Sequence, residues 1–301
     1  MLNKFSKNTQ DNLKRIFECK PREFKLSMSN IGKPLCQLEF EVLGYDKGSD
    51  PVRGSYGYLV EELLMFLIHA SGLKVISEQE RVSIEIAGQE INGVLDLVLD
   101  LDDGYYTVWD IKSSSSWAFK NKFMAFDKLL EEDTFGYVTQ LCLYTIAKQL
   151  QYYKLLQSVS MDSKTNLKKG NLDKPIKIGG FCAFDKSSGE IRVIEFLGDQ
   201  SETFKRTIAY CTKQIQRISE IRRQQSIISE GIIESKPIPL FLPIEETFRK
   251  KKTGNKYLQK VCEFCPHKFN CWDNLQLKPA IKSESKNATL RYYTEINNVL
   301  G

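Results

Sequence analysis

Hydrophobic and polar positions follow two different periods along the chain, which indicates a fold that contains both helices and strands. Residues 59–68 (LVEELLMFLI) are apolar on most faces and predict a largely buried helix, introduced by the flexible Gly54 and Gly57. Residues 135–155 and 201–225 follow the helical period and predict two further helices. Five shorter segments are rich in apolar and β-branched residues and predict strands: 82–86, 93–101, 105–111, 178–184 and 191–196.

Turn-forming residues join two pairs of these strands into hairpins, at 102–104 (DDG) and at 186–189 (KSSG). The order of elements predicts an α/β core over residues 29–235, with a central mixed sheet flanked by helices. Residues 1–28 predict a loosely attached helical extension. Residues 236–301 are punctuated by proline, then basic, then rich in cysteine, and they predict an appended subdomain.

Composition narrows the class of protein. The chain has 301 residues, of which 42% are hydrophobic and 27% are charged, so it can bury a full core. No segment reaches the roughly 20 apolar residues of a membrane helix, and Met1–Arg15 lacks the apolar run of a secretory signal, so we expect an intracellular protein. The net charge of +5 is compatible with a polyanionic partner. Eight cysteines without an export signal argue against a disulfide scaffold and for thiols that bind metal.

Acidic residues and a lysine meet on the first predicted hairpin. In an extended strand, Asp110 and Lys112 project from one face, while Ile111 points into the core and offers its carbonyl outward. Asp96 lies on the preceding strand. Hydrolysis of a phosphodiester needs a hard divalent cation held by oxygen ligands, and a lysine can orient water or neutralise the transition state. A surface salt bridge is the ordinary alternative for a single Asp–Lys pair.

The helix over 135–155 adds polar residues at helical spacing. Tyr137, Gln140 and Tyr144 can share one face of this helix. Taken alone, Gln140 and Tyr144 would be ordinary residues of a helix surface. Their position after the acidic hairpin favours a shared site.

The order of these motifs resembles the RecB-like branch of the PD-(D/E)XK nuclease family. Four pieces match in sequence order: Gly57-x-x-x-Glu61, Gly93-x-x-Asp96, Asp110-Ile111-Lys112 and Gln140-x-x-x-Tyr144. One departure is that Leu95, and not proline, precedes Asp96. The adjacent Glu62 competes with Glu61, and the distance from Gly57 favours Glu61.

This resemblance implies a fold and a role for each residue. The fold would be a restriction-endonuclease-like core. Glu61, Asp96, Asp110 and the backbone carbonyl of Ile111 would hold Mg²⁺ or Mn²⁺. Lys112 would be catalytic, and Gln140 with Tyr144 would position the scissile strand.

Three cysteines lie close together in the tail, in the pattern Cys262-x2-Cys265-x5-Cys271. This density favours a metal site over buried free thiols, whereas Cys142, Cys182 and Cys211 lie in regular elements and are expected in the core. From the residues alone, the fourth ligand is either His267, for zinc, or a fourth cysteine, for an iron–sulfur cluster.

A subset of RecB-like nucleases, which includes AddB subunits and a nuclease of CRISPR adaptation, resembles the chain in this region as well. Its members carry one cysteine before the nuclease core and a Cys-x2-Cys-x5-Cys group after it, and the four cysteines bind a 4Fe-4S cluster. The resemblance implies that Cys36 joins Cys262, Cys265 and Cys271, with Cys19 as the reserve candidate.

The resulting prediction is a metal-dependent DNA nuclease, a single-strand-preferring exonuclease that acts in recombination, repair or phage DNA metabolism. A DNA-binding or assembly subunit that has lost cleavage, and an RNA-directed nuclease, are the alternatives. No helicase phosphate loop of the form G-x-x-x-x-G-K-[ST] occurs, so any unwinding would come from a helicase or recombination partner.

Overall fold

The computed structural model of the chain describes most of the sequence outside both termini. The described residues are 24–45, 51–123, 126–131, 133–161, 174–228, 237–239, 241–248, 251–280 and 288–296. The reserve ligand Cys19, most of the predicted extension 1–28, and Arg249 with Lys250 lie outside these ranges.

The described ranges form helices and strands in alternation. The helices are α1 (Leu35–Val42), α2 (Pro51–Ala70), α3 (Ser116–Asn121), α4 (Phe126–Glu131), α5 (Tyr137–Met161), α6 (Gln200–Ile228), α7 (Lys260–Glu263) and α8 (Lys268–Cys271). The strands are β1 (Lys74–Ile86), β2 (Gln89–Asp100), β3 (Tyr106–Ser114), β4 (Ile176–Asp185), β5 (Ile191–Glu195), β6 (Ile244–Phe248), β7 (Lys251–Tyr257), β8 (Gln276–Pro279) and β9 (Leu290–Glu295). The three long helices, the five strands up to β5 and both hairpins were predicted, and the structure confirms them.

The chain divides into two compact units, of which the first comprises residues 1–32 and 50–216 and the second comprises 33–49 and 217–301. Residues 33–49 group with the second unit, although they fall inside the segment 29–235 that we assigned to the core on sequence. The boundaries of the segment 29–235 were drawn from the sequence motifs, and they stay a prediction.

A mixed five-stranded sheet in the order β1-β2-β3-β4-β5 is the centre of the first unit. Its neighbouring strands pair antiparallel except for β3 and β4, which are parallel. A parallel pair requires a crossover connection, and here the chain between the two strands contains α3, α4 and α5. The architecture is therefore mixed α/β, with a mixed central sheet flanked by helices.

Helix α2 packs its apolar stripe on one face of this sheet. Its Val60, Leu64 and Met65 join a buried cluster with side chains of β2, β3 and β4, among them Ile111. The prediction that this helix is buried on most faces is wrong, because Leu59 and Phe66 are each 67% exposed. A helix beside a single sheet needs only one apolar stripe, and its remaining faces stay accessible.

The second unit contains a four-stranded sheet in the order β6-β7-β9-β8 that the sequence pattern did not predict. Its interior is polar: Glu246 is buried and accepts hydrogen bonds from the Tyr293 hydroxyl at 2.7 Å and from Asn255 Nδ2 at 3.2 Å. Strand β7 (KKTGNKY) offers no apolar alternation, so the usual signal of a half-buried strand is missing. Throughout the described ranges, no helix is long and apolar enough to cross a membrane.

Candidate active site

Two of the predicted acids lie where strands β2 and β3 separate. The paired register of the two strands ends at Leu97 and Trp109, so Asp96 and Asp110 are the next residues on each strand. Beyond this point Asp96 Oδ2 accepts a hydrogen bond from the backbone N–H of Ile111 at 2.7 Å. The side chain therefore bridges the opening between the strands and fixes the position of one carboxylate.

Asp110 is the most deeply buried acid of the site, with an exposed fraction of 0%. Lys112 Nζ lies 2.7 Å from its Oδ2. Apart from this ion pair at Oδ2, neither carboxylate oxygen accepts a hydrogen bond from the part of the chain that the structure describes. Buried carboxylate oxygens are almost always hydrogen-bonded or bound to a cation. Asp110 thus has the unused acceptor capacity that a metal ligand requires.

Helix α5 extends the site with a chain of polar contacts. Lys112 Nζ donates to Gln140 Oε1 at 3.1 Å, and Gln140 Nε2 donates to the Tyr144 hydroxyl at 2.7 Å. The ring centroid of Tyr137 lies 5.4 Å from the same ammonium group. Tyr137 was predicted to lie on this face but without a role, and its helical spacing to Gln140 was the available signal. Asp110 and Lys112 therefore face α5, whereas Ile111 between them packs toward α2.

The start of α5 is fixed by a buried capping residue. Asp133 Oδ1 accepts from the backbone N–H of Val138 at 3.1 Å, and Oδ2 accepts from that of Thr139 at 2.9 Å. These bonds satisfy amide groups that the first turn of a helix otherwise leaves unpaired. The cap sets where the helix begins and hence where Gln140 and Tyr144 stand relative to the sheet.

Gly93 permits the close approach of Tyr144 to strand β2. A Cβ atom at this position would lie 2.6 Å from Tyr144 Cε1 and 2.8 Å from Met28 Sδ, well inside van der Waals contact. The other motif glycine, Gly57, has no such constraint, since a Cβ atom there would lie 3.7 Å from Ser113 Oγ. Close packing therefore requires glycine at position 93 but not at position 57.

We expect Gly93→Ala to displace the Tyr144 ring, to break its contact with Gln140 and to lower the stability by about 1–3 kcal/mol. Gly57→Ala is the matched control, and it should raise the stability by about 0.5–1 kcal/mol because alanine favours a helix interior. Thermal unfolding of both variants measures the difference. Equal melting temperatures for the two would contradict the assigned packing.

Glu61 reaches the site from helix α2. It is partly buried, its Oε1 accepts from Gln79 Nε2 at 2.5 Å, and its charge interacts with Asp96 and Lys112. Its neighbour Glu62 is exposed. Gln79 was not among the predicted site residues, because it belongs to no recognisable motif. The role of the Ile111 carbonyl stays a prediction, since the contact at this residue is the one made by its N–H.

The acids share a raised proton affinity. Burial, followed by the repulsion from Asp96, raises the pKa of Glu61, and burial also raises the pKa of Asp96. Burial raises the pKa of Asp110 to about 7. Burial acts to lower the pKa of Lys112, but the attraction of Asp110 and Asp96 outweighs it and raises this pKa. Three carboxylates interact electrostatically with one ammonium group, so a cation would relieve the excess negative charge.

The donor set fits a hard divalent cation, since all its side-chain ligands are carboxylate oxygens. As the side chains stand, no three His, Cys, Asp or Glu residues in the described ranges are grouped closely enough to hold a metal ion. Ligands from α2, β2 and β3 would therefore have to draw together around the cation.

The four cysteines of the predicted cluster belong to the second unit, Cys36 through α1 and the others through α7, α8 and the turn between them. Burial, followed by the charges of Cys265, Cys36 and Cys271, raises the pKa of Cys262 to about 12. Cys36 therefore lies within electrostatic range of Cys262, although no three of these described thiols are grouped closely enough to hold a metal ion as the side chains stand. None of the seven described cysteines forms a disulfide.

His267, the alternative zinc ligand, has a different environment. It is buried, and its ring stacks on that of Phe40 with 5.5 Å between the centroids. Asn270 Nδ2 lies 3.3 Å from its Nδ1. Its backbone N–H donates to the sulfur of Cys265 and lowers the pKa of that thiol, against the larger effect of burial. These contacts describe a packed histidine beside the cysteines.

Comparison with known proteins adds little to this geometry. No family model matches the chain, and no curated protein matches it. Among solved structures, the chain is similar to one described as "Crystal structure of SSO0001", with a TM-score of 0.36 and 11% identity over 70% of this chain and 88% of that one.

Proposed function

We propose that the chain is a metal-dependent DNA nuclease of the PD-(D/E)XK type, with a restriction-endonuclease-like core. The observation that carries the proposal is the buried Asp110 carboxylate. It contacts Lys112 at 2.7 Å, accepts no hydrogen bond from the described residues and lies where strands β2 and β3 separate. Structural ion pairs are usually exposed or fully hydrogen-bonded, whereas perturbed buried groups concentrate at functional sites.

Each residue of the site has a distinct chemical task. A bound Mg²⁺ or Mn²⁺ would polarise the phosphate and make a bound water more acidic. Asp96, Asp110 and Glu61 supply the carboxylate oxygens that hold it. The Lys112 ammonium, kept charged by its two acidic neighbours, stabilises the negative charge that develops on the phosphate.

Gln140 and Tyr144 act through position. Gln140 accepts from Lys112 and donates to Tyr144, so it holds the ammonium group in one orientation and connects it to the aromatic ring. The pair lies beside Lys112, and we assign it to placing the scissile phosphate. Single-stranded DNA is the proposed substrate, hydrolysed by an exonuclease in recombination, repair or phage DNA metabolism, with any helicase activity supplied by a partner.

The cysteine cluster is proposed to bind a 4Fe-4S cluster through Cys36, Cys262, Cys265 and Cys271. Soft thiolate ligands select iron–sulfur clusters or zinc, and four cysteines are the usual ligand set of a cubane cluster. The electrostatic contact between Cys262 and the other three thiols supports this set over one that uses His267.

Cleavage of labelled single-stranded DNA with Mg²⁺ or Mn²⁺ tests the proposal. We expect activity that requires the metal and that Lys112→Ala lowers by about 100-fold or more, as loss of a single charge-stabilising group does. Lys177→Ala is the matched control, because Lys177 forms a comparable ion pair on the same sheet, 2.6 Å from Asp103, and lies outside the site. Full activity of Lys112→Ala would reject the assigned mechanism.

Competing substrates separate the alternatives. Duplex DNA and single-stranded RNA of the same sequence, added to the same reaction, report the preference for strand and sugar. Binding of DNA without turnover under Mg²⁺ and Mn²⁺ would show an assembly subunit in place of an enzyme.

A further inference from the structure

Gln79 has an unusual backbone for its position within strand β1. Its φ is +47°, in the left-handed region that side chains other than glycine rarely adopt. The other non-glycine residues with positive φ in the described ranges are Ala87 and Asp102, and both lie in the turns that follow a strand. A left-handed residue other than glycine inside a strand is strained, and such strain concentrates at functional sites.

The left-handed residue changes which side of the sheet its neighbours face. In a regular strand, Glu78 and Glu80 would project from one face. Here Glu78 Oε2 contacts His69 of α2 at 2.7 Å, whereas Glu80 pairs with Lys148 of α5 on the opposite face. The interruption therefore lets two successive side chains, those of Glu78 and Gln79, reach helix α2.

This geometry brings the Gln79 amide to Glu61. The register pairs Glu78 with Leu97 and Glu80 with Leu95, so Gln79 stands opposite Asp96. From there its Nε2 donates to Glu61 Oε1 at 2.5 Å. One residue thus connects the strand beside Asp96 with the helix that carries Glu61.

Each acid of the site has one principal partner. Lys112 contacts Asp110, the backbone N–H of Ile111 binds Asp96, and Gln79 binds Glu61. The last partner is neutral, so it orients Glu61 without adding a positive charge that would compete with a cation. Hydrogen bonds of this kind to metal ligands fix ligand orientation, and their loss weakens metal binding by about 10–100-fold.

We propose that Gln79 is a positioning residue that holds Glu61 ready to bind the divalent cation, an inference that rests on the proposed function. The left-handed backbone is the structural cost of placing its amide there. Gln79 does not touch the reacting atoms and acts through Glu61.

The test measures the binding of Mn²⁺ to the full-length protein without DNA. The electron paramagnetic resonance signal of the free ion reports how much Mn²⁺ remains unbound. Gln79→Met keeps the length of the side chain and removes the donor, and we expect it to weaken Mn²⁺ binding about 10-fold. Ala87→Met is the matched control, because it places the same side chain at another left-handed position of the same hairpin. We expect Ala87→Met to bind Mn²⁺ as the wild type does, and thermal unfolding checks that both variants fold.

A double-mutant cycle with Glu61→Gln shows whether Gln79 acts through Glu61. We expect Gln79→Met to have no further effect in the Glu61→Gln background, because the carboxylate that Gln79 positions is no longer present there. An equal loss of affinity in both backgrounds, or no loss in either, overturns the positioning role while the proposed nuclease stands. Absence of Mn²⁺ binding by the wild type overturns the proposed function itself.

Discussion

Asp96→Asn is expected to abolish DNA cleavage while the fold remains intact. The amide oxygen can still accept the hydrogen bond that the backbone N–H of Ile111 donates to Asp96 Oδ2 at 2.7 Å. The substitution therefore removes a negative charge and a proposed metal ligand but keeps the contact between strands β2 and β3. Because a metal ion contributes several kcal/mol to such reactions, we expect the cleavage rate to fall about 1000-fold.

The stability of this variant provides an independent readout. The pKa of Asp96 in the folded chain is raised above the ordinary 3.8 by burial, so the folded chain holds this proton more tightly than the unfolded chain does. Ionised Asp96 therefore lowers the free energy of unfolding, and the penalty grows as the pH rises above the unfolded value. In EDTA, the melting temperature of Asp96→Asn should equal or exceed that of the wild type, with a margin that widens as the pH rises above the ordinary pKa of an aspartate.

Asp103→Asn is the matched control for this experiment. Asp103 pairs with Lys177 at 2.6 Å on the same sheet, and this pairing lowers its pKa, so its charge should stabilise the fold and the substitution should leave cleavage unchanged. Cleavage by Asp96→Asn at the wild-type rate would contradict the assignment of Asp96 as a metal ligand. A collapse of its melting temperature would instead show that the carboxylate is structural.

The sequence was sufficient to predict the elements that carry the acids. Asp110 and Lys112 were placed on one strand face by the two-residue period, and they do lie 2.7 Å apart. Gln140 and Tyr144 were placed together by helical spacing, and they form a hydrogen bond. Both inferences use periods that hold within a single element, where local geometry decides which side chains are neighbours.

Features that depend on tertiary packing could not be predicted from the helix and strand periods. The left-handed backbone of Gln79 lies between Glu78, which contacts α2, and Glu80, which pairs with α5, and no residue type at that position signals it. The neighbourhood of Cys36 and Cys262 joins segments far apart in sequence, and only the resemblance to a family suggested it. Strand β7 was missed because its buried residues include Thr253 and Asn255, which a hydrophobic pattern does not detect.

Removal of one cysteine of the predicted cluster is expected to have the largest effect on the second unit. The wild type, purified without oxygen, should be brown and contain about four iron atoms per chain. Cys262→Ala should lose the iron and lower the stability by about 4 kcal/mol, or about 10 °C in the melting temperature, because binding energy of such a site contributes to folding. Iron analysis, absorption spectroscopy and thermal unfolding measure these effects.

The iron content of further variants identifies the ligands. Cys182→Ala removes a buried thiol from the first unit and should keep its iron. Cys36→Ala should lose iron as Cys262→Ala does, since the two thiols interact, whereas Cys19→Ala should keep it. About one zinc atom per chain, lost in His267→Gln, would replace the iron–sulfur assignment with a zinc site. Full iron in Cys36→Ala would exclude this cysteine, and the search for the fourth ligand would then move to Cys19.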